Sequence, residues 1–196
     1  MIKKAFAFVI AVALTLSAMF LLFDYLPSKL ADLSYRTAYE DEVERWCREF
    51  SVDPALVYSV IKVESNFNPD ARSDVGAIGL MQIIEDSFEW VAWRLKKSDL
   101  SFEDMYTPEY SVMFGTYMIG FLYDRYGSVE LAAAAYHAGI GTVDGWIESG
   151  EIDPENVSTD DIPGSSTRHY AKKIVKAYKK YSNIINNRER NDFNVK

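Results

Sequence analysis

Residues 53–82 read DPALVYSVIKVESNFNPDARSDVGAIGLMQ, a helix-forming run that gives way to a loop. Asp53 can accept from the free backbone N–H groups of a first turn, and Pro54 suits the first helical position, where its missing N–H costs nothing. Val57, Val60 and Ile61 recur at helical spacing, which predicts a helix from Pro54 to about Ser65. Position 64 continues that apolar stripe, yet it is a glutamate. A carboxylate on an apolar helix face, in the last turn where the macrodipole opposes negative charge, is driven toward its protonated form by both influences. That is the adjustment a general acid needs near neutral pH. Periodicity alone leaves a second reading open, a side chain that turns to solvent as the helix frays.

Working outward, Val43, Trp46, Cys47 and Phe50 follow the spacing of one helix face, with Cys47 as a core thiol. Asp86 or Ser87 can cap a helix carrying Phe88, Val91, Ala92 and Leu95 on one face. Thr107-Pro108 opens another, striped by Tyr110, Met113, Phe114, Tyr117, Met118 and Phe121. Ser128 caps a helix from Val129 to His137 that stops at Gly139. A last one runs from Ser166 or Thr167 to about Tyr181, with Tyr170, Ile174, Tyr178 and Tyr181 inward and five lysines mostly outward. Two segments, 66–84 and the acidic 139–164, carry the Gly, Pro, Asn and Asp of loops. No alternation long enough for a sheet occurs, so the expected class is all-α.

Composition narrows the chemistry. A net charge of -8 removes the basic footprint of a nucleic-acid binder. One cysteine and two histidines offer no zinc spacing and no internal disulfide, so no metal or cofactor is expected and the chemistry falls to carboxylates or hydroxyls. At the N-terminus, Ala5 to Phe23 carries no charge and lies between Lys3-Lys4 and Asp24. The run reads as an uncleaved signal anchor, since a membrane helix needs about 20 apolar residues and no small-x-small site closes it. A cleaved signal is the alternative, and in both cases the rest of the chain is exported. The expected organisation is an anchor over 1–24, a juxtamembrane connector over 25–40, a catalytic domain over 41–185 and a polar tail over 186–196, in a monomeric, single-pass cell-membrane protein whose catalytic domain is extracytoplasmic.

The motifs carry a more specific likeness. Glu64-Ser65, then Pro69-Asp70-Ala71-Arg72-Ser73, then Gly76-Ala77-Ile78-Gly79-Leu80-Met81-Gln82 are followed by Ala135-Tyr136-His137-Ala138-Gly139-Ile140-Gly141 and by Ile162-Pro163-Gly164-Ser165-Ser166-Thr167-Arg168-His169-Tyr170. In order and content these resemble the motifs of the soluble lytic transglycosylase family. The likeness covers about Asp41 to Tyr181, with His137 where the family pattern has Asn and Ser166 where it has Glu.

The resemblance implies a lysozyme-like fold that cleaves the β-1,4 bond between N-acetylmuramic acid and N-acetylglucosamine in peptidoglycan strands. Glu64 is then the acid toward the glycosidic oxygen. It later acts as a base on the muramic C6 hydroxyl, which closes a 1,6-anhydro ring without consuming water. Ordinary glycosidases pair two carboxylates; here Asp70, Asp74, Glu85 and Asp86 fit loop or cap roles instead. Ser65 is implied to bond the Glu64 carboxyl or a substrate acetamido group, and Gly79 to let sugar approach the backbone. Met81 and Gln82 would supply an apolar contact and an amide. Tyr136 would bond near the acid or stack on a pyranose. His137, beside Ala138, would replace the Asn hydrogen bond or titrate, and Tyr170 would pack close to Glu64. The rival readings are a lysozyme-like muramidase that uses the same acid with water, and an inactive, membrane-tethered peptidoglycan-binding module.

Overall fold

The computed structural model describes residues 2–25 and 35–194. The chain divides into two compact units, Met1–Arg36 and Thr37–Lys196. In the first, helix α1 spans Ile2–Phe20 and passes into a π-helical turn over Leu21–Tyr25. Among the described residues, no helix is long and apolar enough to cross a membrane. Lys3 and Lys4 occupy the opening turn of α1, and its uncharged α-helical part, Ala5–Phe20, reaches only about 24 Å at 1.5 Å per residue. That falls short of a hydrocarbon core of ~30 Å. Of the expected connector, residues 26–34 lie outside the described residues.

The second unit contains α2 (Glu40–Phe50), α3 (Pro54–Glu64), α4 (Glu85–Leu95), α5 (Pro108–Tyr126), α6 (Val129–Ala138), α7 (Ile140–Glu148) and α8 (Ser165–Asn194). No strand occurs among the described residues, in keeping with the all-α expectation. Helix α3 begins as its sequence dictates, with Asp53 accepting from the Ala55 N–H at 2.8 Å. The other Asp53 carboxylate oxygen accepts from the Tyr178 hydroxyl at 2.8 Å, tying the start of α3 to α8. Helix α8 packs against both α3 and α6, while α5 packs against α2, α4 and α6.

Three boundaries differ from the sequence reading. Helix α4 starts at Glu85, ahead of the expected Asp86 or Ser87 cap, and places Glu85 and Asp86 in its first turn, where the helix dipole favours acids. Helix α8 continues past Tyr181 to Asn194, with Arg188 bonded to Glu40 at 2.9 Å, so residues 186–194 extend a helix. Helix α7 lies inside the segment read as loop. Gly141 and Gly145 looked like loop signals, but Arg125 and the Tyr126 hydroxyl both donate to Asp144, at 2.6 and 2.9 Å, and fasten it to α5. Helix α5 is more buried than its expected stripe. Val112 through Thr116, Ile119, Gly120 and Leu122 are all inside, because helices cover it on several sides.

The loop after α3 decides where the site lies. Asn66 and Phe67 take left-handed backbone angles, φ 50° and 65°, which turn the chain back, and the Phe67 ring is buried beside Tyr58. Ile78 and Ile83 exchange backbone hydrogen bonds at 3.0 Å, while Gly79 N–H donates to the Ala71 carbonyl at 2.9 Å. Met81 is fully buried and enters a slot at Gly115, where an added Cβ would lie 2.3 Å from its sulfur. At Gly79, φ is +77° and a Cβ would sit 1.9 Å from the Met105 carbonyl oxygen. Gly79→Ala therefore meets both a strained backbone and a collision with main chain that no side-chain rotation relieves. The substitution is expected to cost about 3 kcal/mol or more in urea denaturation; a loss below about 1 kcal/mol would show that the loop shifts freely.

Candidate active site

Glu64 is the last residue of α3 and is half-buried. Its Oε1 accepts a 2.6 Å hydrogen bond from the Tyr170 hydroxyl on α8. Burial pushes its carboxyl up to about 7, against the pull of the Tyr170 bond, which favours the ionised form. The fraying alternative is thereby replaced by a carboxyl held against the body of the fold. Asp70, Asp74, Glu85 and Asp86, its acidic neighbours in sequence, are all exposed.

Tyr136 on α6 also faces this carboxyl, whose charge, together with burial, raises the Tyr136 hydroxyl well above its ordinary range; burial is the larger cause. That hydroxyl donates to the Met81 carbonyl at 2.8 Å and so joins α6 to the loop. Tyr170 is raised well above its ordinary range too, first by burial and then by the Glu64 charge. Both phenols thus remain protonated donors beside the acid.

The other expected site residues form the frame of the site. Ser65 Oγ lies 2.8 Å from the Leu80 carbonyl and 3.2 Å from that of Ile61, and so holds the end of α3 to the loop. Gln82, at φ 49°, turns its amide inward to donate to the Ala71 and Gly79 carbonyls at 3.1 and 3.0 Å. The close approach at Gly79 is made by the Met105 carbonyl. The Met81 side chain is core, so what it presents toward Tyr136 is backbone. Ala138 ends α6 half-buried, and its carbonyl accepts from Thr142 at 2.8 Å.

His137 is exposed at its outer edge, with Nδ1 3.1 Å from Thr167 Oγ1 and its ring 4.9 Å from that of Tyr170. Burial lowers it from the ordinary 6.5, which favours the neutral imidazole. Glu64, Tyr136, His137 and Tyr170, from three helices, are thus gathered at one place.

Sequence reasoning missed two features. Thr167 sits in the fourth motif, but only its partner His137 reveals its role. A cavity of about 240 Å³, with Trp90, Met118, Phe121, Tyr136, Gly139 and Ile140 among its walls, adjoins the site. Met118 and Phe121 read as plain core in the helical stripe, and nothing in the sequence of α4 marked Trp90. The rings of Trp90 and Phe121 meet edge to face at 5.0 Å, with the Arg94 guanidinium over both.

Residues 42–157 match the family model described as Transglycosylase SLT domain. The chain is 32% identical over 148 residues to a soluble lytic murein transglycosylase of Salmonella typhimurium, covering 74% of this chain and 23% of that protein. It is 29% identical over 164 residues to a membrane-bound lytic murein transglycosylase C of Actinobacillus pleuropneumoniae, covering 72% of this chain and 45% of that one. Among solved structures, the 70 kDa soluble lytic transglycosylase of Escherichia coli superposes with a TM-score of 0.70 at 27% identity, over 77% of this chain and 25% of that chain. This chain spans about a quarter to a half of the length of these relatives.

The displaced ionisation of Glu64 links stability to pH. The folded chain keeps the Glu64 proton up to about pH 7, whereas an ordinary glutamate releases it near 4.5. Between those values the folded state binds the extra proton, so its stability falls as pH rises through the window and levels off above it. Glu64→Gln removes that dependence. Relative to wild type, the variant is expected to gain nothing at pH 4 and at most about 3 kcal/mol at pH 8, taking about 1.4 kcal/mol per pKa unit. Denaturation of both proteins across this range is the measurement; an equal difference at both ends would place the Glu64 carboxyl in water.

Proposed function

The chain belongs to the transglycosylase SLT domain family, and from that premise we propose that it is a peptidoglycan lytic transglycosylase acting as a monomer with Glu64 as its single catalytic carboxyl. The observation that carries this reading is a carboxyl raised to about 7 by burial, bonded to Tyr170 and remote in character from its exposed acidic neighbours. The bond broken is the β-1,4 link between N-acetylmuramic acid and N-acetylglucosamine. Protonated Glu64 gives its proton to the glycosidic oxygen as the C1–O bond breaks, and the leaving sugar departs as an alcohol. The acetamido group of the same substrate stabilises the positive charge at C1. Glu64, now a carboxylate, takes the proton of the muramic C6 hydroxyl, whose oxygen bonds to C1. The enzyme returns to its starting protonation state with no water consumed, and the new end is a 1,6-anhydromuramoyl group.

The tyrosines support both halves of the cycle. The Tyr170 hydroxyl favours the carboxylate in the second half, while burial favours the acid in the first. Tyr136 fixes the wall opposite through Met81. The uncharged run Ala5 to Phe23 and the likeness to a membrane-bound relative support attachment of the domain to the cell membrane on its outer side.

Glu64→Gln is expected to reduce turnover of purified sacculi by at least about 100-fold, the scale of a lost general acid. Mass spectrometry of wild-type digests should show ends lighter by one water than hydrolytic ends. Reducing ends would assign the muramidase reaction, and near-normal activity of the variant would remove Glu64 from the chemistry. For the anchor, the full chain should stay with membranes through alkaline carbonate washing, and recovery in the wash would refute it.

A further inference from the structure

The 2.6 Å bond from Tyr170 to Glu64 depends on how the phenol ring is turned, because a hydroxyl at the far end of the ring swings widely with its side-chain torsions. Against that ring lies His137, with centroids 4.9 Å apart and planes tilted by 34°. His137 is itself held, since its Nδ1 lies 3.1 Å from Oγ1 of Thr167. Thr167 is 6% exposed and stands three residues before Tyr170 on α8, so the two share a helix face. Together they form a seat that receives an imidazole from the last turn of α6. Asparagine, which the resembling motif has at this position, could make the hydrogen bond of that seat but has no ring to pack against the phenol.

We propose that His137 is a positioning residue, which by packing its tilted ring against Tyr170 and bonding to Thr167 locks the phenol in the orientation that delivers its hydroxyl to Glu64. The proposal rests on Glu64 being the working acid, but not on which sugar linkage is cut. The side chains that act on the Glu64 carboxyl are Tyr170 from α8 and Tyr136 from α6, and the Tyr136 hydroxyl is committed to the Met81 carbonyl. Tyr170 is therefore the donor that opposes the effect of burial on Glu64. Freeing its ring takes the donor away, and the carboxyl then holds its proton more tightly. His137 thus acts on the acid through Tyr170, without touching the reacting bond.

The test is a titration of the substrate-free full chain carrying ¹³C-carboxyl glutamate, with the Glu64 signal identified by its loss in Glu64→Gln. His137→Ala and Tyr170→Phe should each raise the Glu64 midpoint by about one pH unit, a tenfold tighter hold on the proton. The double variant should shift no further than Tyr170→Phe alone, because both changes remove one bond. His137→Phe, which keeps a ring against the phenol, should recover most of the wild-type midpoint, and Thr167→Val should shift it part of the way. With sacculi as substrate, His137→Ala should lower kcat and move the alkaline limb of kcat/KM upward, leaving KM within about twofold.

An unmoved midpoint in a folded His137→Ala protein overturns the proposal, as do shifts that add in the double variant. A change confined to KM would make His137 a direct substrate contact and overturn it equally. Should His137→Ala fail to fold, the phenylalanine and Thr167→Val variants carry the same comparison. The titration uses no substrate, so failure of the transglycosylase reading, seen as hydrolytic ends, leaves its outcome standing.

Discussion

The hydrogen bond between Tyr170 and Glu64 joins the end of one helix to the first turns of another across more than a hundred residues of sequence, and the site exists only where those helices cross. A carboxyl at the end of α3 has an easy escape into water. What prevents it is the packing of α3 against α8, fixed at the far end by the Asp53 cap and its bond to Tyr178. Two points of attachment along one helix pair set its register, so the phenol arrives at the carboxyl without adjustment. The energetic tension is local: burial penalises the charge, the phenol stabilises it, and the first prevails.

The loop from Asn66 to Ile84 turns that tension into a shaped site. Its backbone is closed on itself by the Ile78–Ile83 pair and by the Gln82 amide, and is fastened to the core through Met81, Gly79 and Gly115. A loop held this densely holds Tyr136 in place through its bond to the Met81 carbonyl, so α6 presents its last turn, and His137 with it, at a fixed distance from α8. Residues that look like a binding motif in sequence are here mostly the means by which a wall is held rigid.

That distinction explains what the sequence could and could not convey. The Asp53-Pro54 start, the Ser128 cap and the anomaly of Glu64 are local signals, each decided within a turn or two, and the structure reproduces all three. The tasks of Met81, Gln82 and Gly79 depend on Gly115, Ala71 and Met105, which no spacing rule connects to them. Helix α7 was hidden because glycine counts as a breaker in isolation, whereas the Arg125–Tyr126 grip on Asp144 is a tertiary fact. Likewise the acids of 139–164 read as an undifferentiated charged loop, though Asp153 and Asp161 each bond the backbone of a short 3-10 turn, accepting from the Glu155 and Ser158 N–H groups.

In the proposed cycle a single carboxyl first gives a proton and then takes one, and such a group is best served by a pKa near the ambient pH. An ordinary glutamate near 4.5 would be the stronger acid, but its carboxylate would be a feeble base toward a sugar hydroxyl, and in neutral water it would seldom hold the proton it has to give. Raising the value to about 7 gives up some acid strength and gains a comparable amount of basicity, while keeping both forms populated. Deeper burial would overshoot, leaving a group that accepts readily but donates poorly. A phenol hydrogen bond is the natural moderator, because it stabilises the carboxylate without adding a charge that would also act on the developing cation at the sugar. In this fold the desolvation comes from where α3 ends, and the moderation comes from Tyr170. The two can vary independently, so a substitution that turns the phenol retunes the acid while leaving the helix that carries it intact.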